Sequence, residues 1–273
     1  MAKSEFHDTE STAPMRFCPN LSILFKEVPF LERFERAAGA GFGAVEFWWP
    51  ADPLDEVEAA IADAGLAVAL FNFDAGDMPA GDRGLLSDPD RADAFRANVP
   101  VALELAERLG TPRLNALVGL ERSPGEREAQ LRLAAENVRW AADQASQVGA
   151  DILIEAVNTF ENGPYLLSTT RQAAAFLERV DRQNVRLQYD AYHMQRMEGN
   201  LVATLTEFAP RISHIQVADS PGRGEPGTGE INYPFVLDAI EALGYDGWIG
   251  LEYNPTTATT EESFGWLPQG RRA

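Results

Sequence analysis

The chain is short of several residues, and each shortage removes a class of protein. It has one cysteine, Cys18, so no internal disulfide can form, and a reducing, cytoplasmic setting is expected. It has only two lysines, Lys3 and Lys26, so a side-chain cation facing an anion is expected to be arginine. Its three histidines are too few for the clustered imidazoles of a multi-metal nuclease. No run of about 18 apolar residues occurs, so no membrane span is expected. No glycine-rich phosphate fingerprint follows the first strand-like run, which weighs against a nucleotide-binding sheet. Positive charge is scarce overall: 23 basic residues face 42 acidic ones, for a net charge of −19. Such a surface repels phosphate backbones, so nucleic acid is not an expected partner.

What remains is an alternation. Short β-rich runs at Arg16–Leu21, Ala44–Phe47, Ala67–Phe73, Arg113–Ala116, Asp151–Ala156, Val185–Asp190, Ile212–Val217 and Trp248–Tyr253 are separated by amphipathic helical stretches. In Pro53–Gly65, residues Leu54, Val57, Ile61 and Ala64 share one helical face. Tyr233–Leu243 repeats the pattern, with Asn232 as a cap and Pro234 in the first turn. Arg91–Leu109 is interrupted by Pro100, where a kink or a late start is expected. Eight strand–helix units predict a (β/α)8 barrel, an α/β fold, as one domain over 15–273. Residues 1–14 are polar and are expected to form a disordered tail.

Each strand-like run ends on a polar side chain: Asn20, Glu46, Asn72, Asn115, Glu155, Asp190, Gln216 and Glu252. The last four are oxygen donors spaced 35, 26 and 36 residues apart, about one strand–helix unit each. Side-chain parity points all four at the barrel axis, because Ile152 and Ile154, Leu187 and Tyr189, Ile215 and Val217, and Ile249 and Leu251 take the opposite face. Three carboxylates at one height repel one another unless a cation neutralises them, and hard oxygen donors suit Mg²⁺ or Mn²⁺. For any one of these residues, a plain loop-bracing role is an equal alternative.

Several segments resemble the hydroxypyruvate isomerase family, part of the xylose-isomerase-like barrels: NLSILF (20–25), VEFWWP (45–50), AGDMPAGDRG (75–84), ILIEAVN (152–158), QYDAYHMQRMEGNL (188–201), HIQVAD (214–219), RGEPGTGEINY (223–233) and GWIGLEY (247–253). The resemblance implies a TIM barrel holding one divalent metal through Glu155, Asp190, Gln216 and Glu252. Glu155 and Glu252 would then form the proton-transfer pair. Ala156 departs from the proline that many members carry there, and it leaves the preceding ligand in place. The implied reaction interconverts hydroxypyruvate and tartronate semialdehyde through an enediolate; 2-oxo-tetronate isomerase and ketose 3-epimerase are the near alternatives, and a nuclease or a noncatalytic sugar-binding barrel the remote ones.

A small anionic hydroxy-keto acid needs a cation, for which Arg83 and Arg223 in the two Gly/Pro-rich loops are the candidates. His193 and Glu46 are candidates to contact substrate oxygens. His214 is expected to act from behind the site or in the core, and Cys18 to pack. Phe47, Trp48 and Trp49 would either wall a pocket or cover a contact in a homo-oligomer.

Overall fold

The computed structural model describes residues 15–122 and 125–272; the expected tail at 1–14 lies outside them. Eight strands alternate with helices: β1 (Arg16–Pro19), α1 (Glu32–Gly39), β2 (Ala44–Phe47), α2 (Leu54–Ala64), β3 (Ala67–Asn72), α3 (Ala92–Leu109), β4 (Arg113–Asn115), α4 (Arg127–Ala145), β5 (Asp151–Glu155), α5 (Thr159–Asn162), α6 (Thr170–Val180), β6 (Val185–Asp190), α7 (Ala191–Met197), α8 (Leu201–Phe208), β7 (Ile212–Val217), α9 (Tyr233–Ala242) and β8 (Trp248–Leu251). All ladders are parallel, in the order β1-β8-β7-β6-β5-β4-β3-β2. A parallel bridge between Asn20 and Glu46, with the Leu21 amide donating to the Glu46 carbonyl at 2.8 Å, joins β1 to β2 and brings the sheet round on itself.

The alternation expected of the strands is present. Ile152, Ile154, Leu187, Tyr189, Ile215, Val217, Ile249 and Leu251 belong to the large apolar core shared with the helices. Cys18, Ala44 and Ala69 form a separate small cluster, with Trp248 packed against it, at the amino-terminal end of the barrel. Filling one end with small apolar side chains leaves the other end to polar ones, as a layered barrel interior requires.

Two register shifts matter for the site. Leu187 pairs with Ile212, but Gln188 pairs with His214, so one extra residue, Ser213, is accommodated in β7. A regular ladder would set Asp190 opposite the outward Ile215; the bulge sets it opposite Gln216 instead. A second shift, between Val45 and Glu46, adjusts β2 against β3.

Two local expectations are corrected, the late start of the helix at Pro100 and the cap at Asn232. Helix α3 starts at Ala92 and runs through Pro100; Pro100 is exposed, so the carbonyl that loses its partner faces water. Asn232 occupies the position before α9 but its side chain makes no capping hydrogen bond.

The loop after β3 passes close to the one after β4. Gly84 there has φ +115°, and a Cβ would collide with the Leu117 carbonyl oxygen. Gly84→Ala is therefore expected to cost at least about 2 kcal/mol, a fall in Tm of roughly 4–8 °C by differential scanning calorimetry. An unchanged Tm would mean that the two loops separate freely.

Candidate active site

Asp190 ends β6 and begins α7, and it serves both. Its Oδ1 accepts hydrogen bonds from the amides of Tyr192 (2.7 Å) and His193 (3.2 Å), the ordinary work of an aspartate before a helix. Its Oδ2 is buried and has no hydrogen-bond partner among the described residues. Glu155, at the end of β5, is held through Oε2 by Asn115 Nδ2 (2.8 Å) and Gln188 Nε2 (3.0 Å). Glu252, just beyond β8, accepts at Oε1 from Asn20 Nδ2 (3.0 Å) and Trp48 Nε1 (2.9 Å), and at Oε2 from Arg223 Nη2 (2.6 Å). One potential ligand atom from each of Glu155, Asp190, His193 and Glu252 lies within 4.8 Å of the others, and all four residues are buried.

Three buried carboxylates in this space are electrostatically strained. Burial, then Glu252 and Asp190, push the Glu155 carboxyl well above the usual range. Burial, opposed by Arg223 and aided by Glu252, lifts Asp190 to about 7. Burial likewise raises Glu252, against the pull of Arg223. Among the described residues Arg223 is the one arginine or lysine in ion-pair contact with the group, 4.0 Å from Asp190 Oδ2 and 2.6 Å from Glu252 Oε2. An unpartnered buried carboxylate oxygen beside two further carboxylates fits a divalent cation, and this buried group can bind a metal ion.

Glu155, His193 and Glu252 of this group line a cavity of about 80 Å³ that is also lined by Trp48, Asn72, Met78, Arg83, Asn162 and Gln188. A larger groove of about 420 Å³ lies at the opposite end of the barrel. Its arginines are already engaged: Arg182 with Asp143, Arg211 with Glu178, and Arg186 with the Pro210 carbonyl. It offers no convergent set of carboxylates among the described residues, so the smaller cavity is the candidate site.

The residues expected to meet substrate divide. Arg83, Arg223 and His193 line the cavity. Arg83 donates to Asn162 Oδ1 (2.6 Å) and to the carbonyls of Met78 (3.0 Å) and Asp82 (2.6 Å), all neutral acceptors. His193 is buried, and burial followed by Arg223, Arg83 and Arg196 pushes its pKa well below the ordinary value. It is therefore a neutral imidazole. The tautomer follows from its neighbour. Asn158 Oδ1 accepts from the Glu161 amide (3.1 Å), so its Nδ2 faces His193 Nδ1 at 2.7 Å and donates to it. The ring proton then resides on Nε2, 3.6 Å from Asp190 Oδ2 and 3.8 Å from Glu155 Oε1. Glu46 is fully buried below the cavity, bonded to His214 and Gln216. Phe47 is a core residue stacked on Phe71, whereas Trp48 is the aromatic that reaches the site. Gln216 lies opposite Asp190 in the ladder; its Oε1 accepts from Gln188 Nε2 (2.6 Å) and its Nε2 donates to Glu46 Oε1 (2.6 Å).

The supporting asparagines were only half legible. Asn20 and Asn115 stand out as polar strand endings. Asn158 carries no such signal, since it follows the strand by three residues, caps α5 through Oδ1 and reaches His193 only through the fold.

A parallel eight-stranded barrel with buried carboxylates at the carboxyl ends of its strands has the architecture of the barrel enzymes, with a metal-capable group at the usual end for an active site. Residues 34–270 match the family described as xylose isomerase-like TIM barrel, and the chain belongs to that family. It is 44% identical over 254 residues to a hydroxypyruvate isomerase of Escherichia coli K12, covering 93% of this chain and 98% of that one. It is 40% identical over 253 residues to a 2-oxo-tetronate isomerase of Cupriavidus necator, covering 92% and 97%. Among solved structures, one described as an AP endonuclease, family 2, from Brucella melitensis superposes with a TM-score of 0.88 at 40% identity, covering 93% and 98%. The protein is accordingly an isomerase.

Proposed function

We propose that the protein interconverts hydroxypyruvate and 2-hydroxy-3-oxopropanoate, with Glu155, Asp190, Gln216 and Glu252 holding one Mg²⁺ or Mn²⁺. The observation that carries this reading is the convergence of three buried carboxylates, one with an unpartnered oxygen, two of which, Glu155 and Glu252, line a cavity of about 80 Å³. His193 Nε2 carries a proton and has no lone pair to give, which supports Gln216 as the fourth ligand. A divalent cation there would supply electrophilic stabilisation of the negative charge that builds on the substrate's two oxygens.

The chain's own residues would do the rest. A proton leaves the hydroxymethyl carbon beside the ketone and returns to the former carbonyl carbon, through an enediolate, while the hydroxyl proton passes between the two oxygens. Glu155 and Glu252 are the pair that takes and returns the carbon-bound proton. Glu155 has Oε2 fixed by two amides, leaving Oε1 toward the cavity. Neutral His193 offers its Nε2 proton to a substrate oxygen. Trp48 shields one wall from water, which strengthens each charge interaction inside. Arg83 and Arg223 hold the substrate carboxylate.

The small cavity favours three or four carbons over a ketohexose. The similarity to 2-oxo-tetronate isomerases keeps a four-carbon substrate as the second reading. A nuclease role is opposed by the net charge of −19 and by His214, which is turned away beneath Glu46. Proton NMR in heavy water of hydroxypyruvate, 2-oxo-tetronate and a ketohexose, before and after chelation and with Mg²⁺ or Mn²⁺ restored, tests the reading. Metal-dependent deuterium entry and conversion with hydroxypyruvate is expected. Turnover of the four-carbon acid alone, or full activity after chelation, would overturn it.

A further inference from the structure

Glu46 spans the barrel interior from β2 to β7. His214 Nε2 meets its Oε2 at 2.5 Å; Gln216 Nε2 (2.6 Å) and Asn20 Nδ2 (3.1 Å) both donate to Oε1; and the Cys18 thiol lies 3.8 Å from Oε2. The space is shaped for it: a Cβ on Gly250 would collide with Oε2 and stand 2.6 Å from Oε1, so a larger residue there would displace the carboxylate. Fully buried and surrounded by donors, Glu46 has no contact left for a substrate.

We infer that Glu46 is a positioning residue: it sets the polarity of the Gln216 amide, so that Gln216 turns its carbonyl oxygen, and not its NH₂, toward the metal-capable group. This rests on the reading of Gln216 as a ligand given above. The argument is one of hydrogen-bond inventory. A carboxylate accepts and does not donate, so the amide that meets Glu46 must present its NH₂. The same rule holds at the far end of the network. Glu155 accepts from Gln188 Nε2, and that same nitrogen donates to Gln216 Oε1. Gln216 is thus fixed from two sides, by carboxylates on β2 and β5, and its carbonyl keeps a second lone pair for a cation. Were the amide reversed, NH₂ would face NH₂ at Gln188 and oxygen would face oxygen at Glu46. Asn20 donates to both Glu46 Oε1 and Glu252 Oε1, which ties a second proposed ligand to the same anchor.

A double-mutant cycle on two isosteric exchanges tests this, read by the Tm of the metal-free protein and by Mn²⁺ affinity from titration calorimetry. Gln216→Glu sets a carboxylate against Glu46 and is expected to lower the metal-free Tm by about 10 °C, although an added carboxylate would ordinarily tighten Mn²⁺ binding. Glu46→Gln alone is expected to weaken Mn²⁺ about tenfold, because the amide at 216 is then held from the Gln188 side only. The exchange Glu46→Gln/Gln216→Glu again pairs an NH₂ with a carboxylate; it is expected to recover the Tm to within about 4 °C of wild type and to bind Mn²⁺ at least as tightly. If Gln216→Glu cannot be recovered folded while the exchanged protein can, the coupling is shown by yield. Additive Tm shifts, or Gln216→Glu as stable as wild type, would overturn the inference. Wild-type protein that binds no Mn²⁺ would instead sink the metal reading, and the metal-free Tm cycle would still decide the orientation of the amide.

Discussion

Replacing Glu155 by Gln should lower kcat on hydroxypyruvate by about 10³-fold and abolish deuterium entry from heavy water, while leaving the fold intact. The reason lies in how the two oxygens are used. Oε2 accepts from Asn115 and Gln188, and the carbonyl of a glutamine can take that place. The NH₂ then falls at Oε1, the oxygen toward the cavity, which can no longer receive a proton. Removing one of three crowded negative charges should keep the metal-free Tm at or above that of wild type, since its neighbours Glu252 and Asp190 both push the Glu155 carboxyl upward. Glu252→Gln should lose activity to a similar degree, with a different signature. Both oxygens of Glu252 already meet N–H donors, from Asn20, Trp48 and Arg223, so an NH₂ at either position faces another donor. A fall in Tm of roughly 4 °C or more should accompany that substitution and not the first. A Glu155→Gln protein that keeps a tenth of the wild-type kcat would remove Glu155 from the proton-transfer pair.

The second large effect is expected at Arg83. Its guanidinium is partly buried and is bonded only to neutral oxygens, and no carboxylate among the described residues forms an ion pair with it. Arg223, in contrast, already neutralises Glu252 at 2.6 Å. In a chain of net charge −19, an arginine without an acidic partner at the cavity wall is the natural receptor for a substrate carboxylate. Arg83→Met should therefore raise KM for hydroxypyruvate about 100-fold with kcat changed only a few-fold. A three-carbon hydroxyketone without a carboxylate should show no such change in KM. Equal losses on the charged and uncharged substrates would mean that Arg83 acts by holding its loop to α5 through Asn162. Arg223→Met should behave differently, lowering kcat as well, because it strips Glu252 of its counter-charge.

The eight strands were legible because each is a local, period-two pattern, and the observed boundaries at Ala44–Phe47, Val185–Asp190 and Ile212–Val217 match the sequence pattern residue for residue. The inward aim of Glu155, Asp190 and Gln216 was legible for the same reason: parity needs only the neighbouring residues. Pro100 does not delay the helix because its effect depends on which way the helix faces, and it faces water. Glu46 was readable as an inward polar residue, but not as one that stops short of the cavity.

From sequence alone came the barrel, the strand-end donors and their common face, since these depend on spacing along a single segment. The tertiary structure decided how the donors meet. The bulge at Ser213 that sets Asp190 opposite Gln216 exists only as a mismatch between two strands. The tautomer of His193 is imposed by Asn158, 35 residues away, and the orientation of the Gln216 amide by Glu46, 170 residues away. A hydrogen bond is defined by both of its partners, and no stretch of chain read by itself contains the second one.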